Sequence, residues 1–211
     1  MEKIRHIIFD LGQVIINVDP AAVMKKLEDL GVSNADEIHM KLQETGAYNK
    51  LETGRIQPAE FRDAIRAVAG DHLSDSEIDD AWNAMLLDIP KERVKFMTRL
   101  KSRYKLYLMS NTNAIHWECY NAYFRDTYDY PGINHFFSGT WYSYLMGFRK
   151  PDPEVFRIIL EESRFDPAEV AFVDDLKENV DAAASLGILP VHLPPGREIM
   201  DLFDAELNIK V

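Results

Sequence analysis

Four short polar clusters carry residue types that together suit a phosphate and divalent-metal site. They are Asp10 after His6-Ile7-Ile8-Phe9, Ser110-Asn111 after Leu106-Tyr107-Leu108-Met109, Lys150 in Arg149-Lys150-Pro151, and Asp174-Asp175 after Val170-Ala171-Phe172-Val173. Asp10 offers a carboxylate that could attack phosphorus and form an aspartyl-phosphate, or simply close a turn or cap a helix. Ser110-Asn111-Thr112-Asn113 offers a hydroxyl, amides and N–H groups at an expected helix N-terminus, which suits an anion or an ordinary cap. Lys150 precedes two prolines split by Asp152, so its backbone is stiff and its ammonium well placed to neutralise phosphate; alone it would be a surface lysine. Asp174-Asp175 is the least ordinary cluster, because adjacent carboxylates at a buried strand end repel unless a cation compensates. Magnesium takes few protein carboxylates and keeps some waters, so Asp10 with one of this pair is a plausible ligand set. Asn179, one helical turn after Asp175, is placed to hold it.

Three of these clusters follow apolar runs that read as buried parallel strands, and ligands bind beyond the carboxyl ends of such strands. The run 4–9 is the first strand, with Val14-Ile15-Ile16 as a short hairpin arm behind it. Asp19-Pro20 reads as an N-cap followed by proline at the first helical position. From there to about residue 102 the pattern is helical, with a capping box at Ser74-Asp75-Ser76-Glu77 and glycines 31, 54 and 70 as punctuation. Strand and helix then alternate. Strand 105–109 precedes a helix after Asn113, and Asp152-Pro153 opens another. A strand ends at Asp174, a helix runs over 177–186 to Gly187, and 188–193 is the last strand. The pattern predicts an α/β protein with a parallel sheet flanked by helices and an inserted all-α unit. The expected division is a core of 1–17 and 96–211 and a helical cap of 18–95.

Bulk properties bound the function classes. The 211 residues are 46% hydrophobic and 28% charged, ordinary for a soluble globular protein. A net charge of −11, from 24 basic and 35 acidic residues, argues against a large nucleic-acid surface. It leaves room for a small anionic substrate, since one lysine and a metal ion reverse the field locally. Cys119 is the single cysteine, so no intrachain disulfide forms and a reducing compartment is expected, with Cys119 in a packing role. The start, Met1-Glu2-Lys3-Ile4-Arg5, leads into a run too short for a signal peptide or membrane span, so the expected location is cytoplasmic. The aromatic stretch 117–148 is either a helix and connection packed on the sheet or an exposed patch for a partner or substrate.

The order and spacing of the clusters, 100 residues from Asp10 to Ser110, 40 more to Lys150 and 24 more to Asp174, resemble the haloacid dehalogenase-like (HAD) hydrolases over essentially the whole chain. The words Phe9-Asp10-Leu11-Gly12, Leu108-Met109-Ser110-Asn111-Thr112-Asn113, Met146-Gly147-Phe148-Arg149-Lys150-Pro151 and Asp174-Asp175 are similar to the α-glucose-1-phosphate phosphatase-like branch. The resemblance implies a Rossmann-like core with a helical cap inserted after the first motif. It implies Asp10 as nucleophile and magnesium ligand, the carbonyl of Gly12 as a second ligand, and Asp175 as a direct ligand with Asp174 nearby or through water. Ser110 and the N–H of Asn111 would bind the transferring phosphoryl group, and Lys150 would stabilise it. The expected activity is magnesium-dependent hydrolysis of a small phosphorylated metabolite, with sugar phosphates among the candidates.

One position departs from most phosphatases of the family. They carry a second Asp two residues after the nucleophile as general acid and base, and here that position is Gly12. Losing such a group costs ~10²–10⁴-fold in rate, small against the largest enhancements for phosphate monoesters, up to ~10²¹. The glycine also matches the branch named above. Dehalogenases lack the second Asp too, but they leave the paired acids without a purpose. A non-catalytic phosphate- or magnesium-binding protein is a third reading, against which stands the retention of all four clusters. A phosphomutase needs the missing Asp and ranks last. Tyr48, Lys50, Glu52 and Arg55, around the Gly54 turn, are the cap residues expected to face the site.

Overall fold

A computed structural model describes residues 4–33, 35–128 and 130–210. The expectations resting on Met1–Lys3 and on the last residue of the expected core lie outside the described residues. The sheet has five parallel strands: β1 (His6–Phe9), β2 (Lys105–Ser110), β3 (Thr140–Tyr142), β4 (Val170–Asp174) and β5 (Leu189–His192), in the order β3-β2-β1-β4-β5. β1 is central, with Ile8 level with Tyr107 on one side and Phe172 on the other. The chain leaves β1 toward β2 and β3, then crosses back to β4, so the carboxyl ends of β1, β2 and β4 flank the topological switch.

Near-continuous apolar runs make these strands buried on both faces. Ile7, Phe9, Leu106, Leu108, Ala171 and Val173 pack on one face, joined by Val94, Met97 and Leu100 of α6 (Lys91–Leu100) and by Tyr120 and Phe124 of α7 (Ala114–Tyr128). Ile8, Met109, Val170 and Phe172 alternate onto the other face, against α9 (Pro153–Ser163) and α10 (Lys177–Ala184). The strand period of two thus feeds two separate clusters. β3 was not foreseen in the sequence: three residues inside an aromatic connection give no readable alternation. The short α8 (Ser143–Met146) follows it directly.

The helical insert holds α1 (Ala21–Asp29), α2 (Ala35–Glu44), α3 (Ala47–Glu52), α4 (Pro58–Ala69) and α5 (Asp75–Asn83) around their own apolar cluster. Asp19 Oδ1 accepts from Ala21 N at 3.1 Å, and Pro20 already has helical torsions, so α1 starts as the Asp-Pro pair predicts. The Ser74–Glu77 capping box is formed on α5. Two short chain segments tie this unit to the sheet. Asn17 N donates to Asp88 O, Leu87 N to Asn17 O and Asp19 N to Met85 O, each at 2.9 Å. Ile89 and Val94, expected in the cap, pack with the sheet cluster.

Val14-Ile15-Ile16 is not a hairpin arm. All three residues are buried, and the N–H groups of Ile15 and Ile16 both donate to Leu11 O at 2.9 Å, closing a compact turn. Three consecutive buried side chains leave no solvent face for an exposed arm. Most of the 117–148 aromatics also pack inward: Tyr120, Phe124, Phe136 and Tyr142 are core, and Phe148 is exposed. Burial holds the Cys119 thiol above its usual pKa, consistent with packing. Among the described residues no helix is long and apolar enough to cross a membrane.

Gly54 seats the insert on the core. Its φ is +64°, and a Cβ there would collide with the Tyr144 carbonyl oxygen. Gly54→Ala therefore meets both left-handed strain of about 1–2 kcal/mol and a backbone collision. The expected result is a lower thermal midpoint together with a raised KM; unchanged values of both would mean that this contact does not seat the cap.

Candidate active site

Strand ends place the four clusters together. Asp10 leaves the end of β1, Ser110 ends β2, and Asp174 ends β4. Lys150, from the loop between α8 and α9, reaches inward and is 1% exposed. Its Nζ donates to Asp10 Oδ1 at 2.6 Å, Asp174 Oδ2 at 2.7 Å and Met109 O at 3.1 Å. All three ammonium donors are therefore used, which fixes the charge against two carboxylates at once.

The loop carrying Lys150 is held by Asn111. Asn111 Nδ2 donates to Lys150 O and Lys150 N donates to Asn111 Oδ1, both at 2.9 Å. This positioning role is additional to the phosphate contact expected of the Asn111 N–H. Ser110 is buried, and among the described residues its Oγ makes only a long 3.5 Å contact to Asn111 O. The adjoining loop is pinned by Ser143, which the sequence analysis missed: its Oγ accepts from Thr112 N at 2.9 Å and donates to Thr112 O at 3.0 Å. A serine within an aromatic run carried no signal of that task.

Asn179 holds Asp174, not Asp175. Its Nδ2 lies 2.9 and 3.0 Å from the two Asp174 oxygens, and Leu176 N donates to Asp174 Oδ1 at 2.8 Å. The reason is burial: Asp174 is the last strand residue and fully buried, while Asp175 lies just past the strand end and stays half-buried. Asp174 is thus committed to Lys150 and Asn179, and Asp175 is the more available oxygen donor.

Asp10, Asp174 and Asp175 bring carboxylate oxygens within 4.8 Å of one another. Three carboxylates share one ammonium, leaving two negative charges to balance if all are ionised. Burial pushes the Asp10 carboxyl up to about 7; Lys150 pulls it down and Asp174 pushes it further up. Burial, then the Asp174 charge, also raises Asp175. Lys150 is raised because its two carboxylates outweigh the burial that opposes it. A hard divalent cation with oxygen ligands is what this donor set lacks for charge balance, so the residues fit magnesium. The Gly12 carbonyl accepts from Val14 N at 2.6 Å and has a second lone pair.

The four cap candidates divide. Tyr48 stacks on Trp82 inside the cap cluster. Glu52 pairs with Arg149 at 2.8 Å across the cap–core seam, and burial raises its pKa. Lys50 and Arg55 line a cleft beside Arg149 and Lys150. A second seam contact was not foreseen: buried His116 of α7 stacks on Trp82 of α5 and lies 3.2 Å from Trp82 O through Nε2.

The sequence profile of the haloacid dehalogenase-like hydrolases matches residues 4–187. The chain is 30% identical over 186 residues to D-ribitol-5-phosphate phosphatase of Bacteroides thetaiotaomicron, covering 87% of this chain and 89% of that one. It is 30% identical over 192 residues to a sesquiterpene phosphatase of Aspergillus oryzae, covering 88% of each. A HAD-family enzyme of Bacteroides thetaiotaomicron, solved with magnesium and inorganic phosphate, superposes with a TM-score of 0.86 at 36% identity over 95% of this chain and all (100%) of that one. With this match over most of its length and this sheet, the chain belongs to the haloacid dehalogenase-like hydrolases.

Proposed function

We propose that Asp10 attacks the phosphorus of a small phosphate monoester, forming an aspartyl-phosphate that water then hydrolyses. The chain is a magnesium-dependent phosphatase. The observation that carries the residue assignment is the Lys150 ammonium fixed between Asp10 and Asp174, at the strand ends where Ser110 and Asp175 also converge. Phosphoryl transfer needs positioning and charge stabilisation above all, and these residues supply both.

As the Asp10 oxygen bonds to phosphorus and the ester oxygen leaves, Ser110 and the Asn111 N–H hold the equatorial oxygens and Lys150 offsets their charge. Magnesium, held by Asp10, the Gly12 carbonyl and Asp175, would add electrostatic stabilisation of the transferring group. Asp174 positions Lys150. Gly12 supplies no proton to the departing oxygen. The second step releases phosphate and returns Asp10 as carboxylate. One relative is a D-ribitol-5-phosphate phosphatase and another a sesquiterpene phosphatase, and a sugar or polyol phosphate is the substrate type we favour, in the cytoplasm, with no nucleic-acid partner. A dehalogenase would leave the excess negative charge of the three carboxylates without purpose.

Chelation should abolish turnover and magnesium should restore it. In metal titrations, Asp175→Ala should raise the magnesium concentration needed for half-activity by at least about 10- to 100-fold, the range for losing a residue that only supports a metal ligand. Asp174→Ala should chiefly lower kcat by freeing Lys150. Metal-independent phosphatase activity would remove the ligand assignment, and metal-independent halide release would replace the reaction.

A further inference from the structure

A second charged cleft opens where the cap meets the core. It encloses about 340 Å³ between the end of α3 with its Gly54 turn and the loop that carries Lys150. Lys50, Arg55 and Arg149 line it together with Asp152, and Lys150 itself forms part of the wall. This concentration of positive charge runs against a net charge of −11 for the chain.

The charges in the cleft are unevenly satisfied. Asp152 caps α9, its Oδ1 accepting from Glu154 N at 2.9 Å. Arg149 is held by Glu52. Lys50 and Arg55 have no ion pair and no side-chain hydrogen bond among the described residues. Elsewhere Arg62, Arg66, Arg93 and Arg197 each sit against a carboxylate. With Arg149 balanced by Glu52 and Lys150 by Asp10 and Asp174, Lys50 and Arg55 still outnumber the lining acid Asp152, which lowers the energy of an anion entering between them.

Resting on the phosphatase reading, we propose that this cleft is a second anion subsite, in which Lys50 and Arg55 hold a phosphate or carboxylate at the far end of the substrate while its reacting phosphate lies at Asp10. The preferred substrate is then a small phosphorylated sugar or polyol carrying a second anionic group. Because the subsite joins a cap element to the loop of Lys150, a substrate spanning both would also hold the cap closed over the strand ends.

The test compares a hexose monophosphate with the matching hexose bisphosphate and a phosphorylated sugar acid. Turnover by the wild-type enzyme and dissociation constants on full-length Asp10→Asn protein are both measured. The ligands with a second anionic group should bind about 10- to 100-fold more tightly than the monophosphate, the effect of one or two charge-assisted hydrogen bonds. The same ratio should appear in kcat/KM, through KM. In the Lys50→Ala/Arg55→Ala protein, checked for an unchanged melting profile, the ratio should fall to about one, and charge reversal to Glu at both positions should invert it. The bisphosphate and sugar-acid arms tell phosphate from carboxylate. A wild-type binding ratio at or below one overturns the subsite. So does a double variant that weakens all ligands equally, which is general electrostatic attraction. Loss of turnover with the binding ratio intact would fail the phosphatase reading and leave the subsite standing.

Discussion

Asp10→Asn should reduce phosphatase turnover by roughly 10⁴-fold or more, the scale seen when an attacking nucleophile is removed from an otherwise intact site. Asn has nearly the same shape, and its oxygen still accepts from Lys150, whose ammonium keeps Asp174 as a charged partner at 2.7 Å. The buried cluster loses one negative charge whose desolvation is unfavourable, as the upward push on Asp10 indicates. Folding should therefore survive, with circular dichroism and the melting midpoint close to wild type. Residual turnover within about 10-fold of wild type, after deamidation is excluded by mass, would take the nucleophile's role away from Asp10.

The second large effect follows from Gly12. With no carboxyl at that position, the departing oxygen must carry its own negative charge, so single-turnover rates should rise steeply as leaving-group pKa falls. Aryl and anomeric phosphates should lead ordinary alkyl phosphates. The structure makes the complementary gain testable. Gly12 lies outside the left-handed region, and a Cβ there would meet Val18 Cγ2 at 3.6 Å and Asp10 Oδ2 at 4.0 Å, ordinary contacts. Gly12→Asp should fit without shifting the carbonyl and raise alkyl phosphate turnover by about 10- to 100-fold, toward the usual worth of a general acid. Aryl phosphates should change little. A flat leaving-group dependence in the wild type, with chemistry rate-limiting, would mean that another acid exists, and Glu52, half-buried and within the influence of Lys150, is the first to replace by Gln.

The clusters were legible because each stands where an apolar run stops, and a run such as Val170–Val173 has no other use than a strand buried on both faces. Caps were legible for the same local reason: Ser74, Asp152 and Asp19 sit at helix starts with short side chains that reach their own backbone. What failed depended on distant partners. Asn179 was assigned to Asp175 by helical spacing, yet the buried strand end gives it Asp174. Val14–Ile16 reads in sequence as a hairpin arm, while burial of all three side chains closes it into a turn. Ser143, Arg149 and His116 act across 31, 97 and 34 residues of chain, and no local pattern announces such pairs. The cap was legible as a helical unit, but not which of its residues face the core, since Tyr48 and Lys50 share one short helix and part toward its interior and its cleft.

The most direct measurement is capture of the covalent intermediate. Enzyme with magnesium is mixed with substoichiometric aryl phosphate, quenched in acid within a single turnover, digested, and read by mass spectrometry. The account predicts one phosphoryl group on the peptide containing Asp10, formed as the aryl alcohol is released and absent from Asp10→Asn protein. Release of the alcohol in a single turnover with no phosphoryl adduct at any quench time, or an adduct on a peptide lacking Asp10, would contradict it.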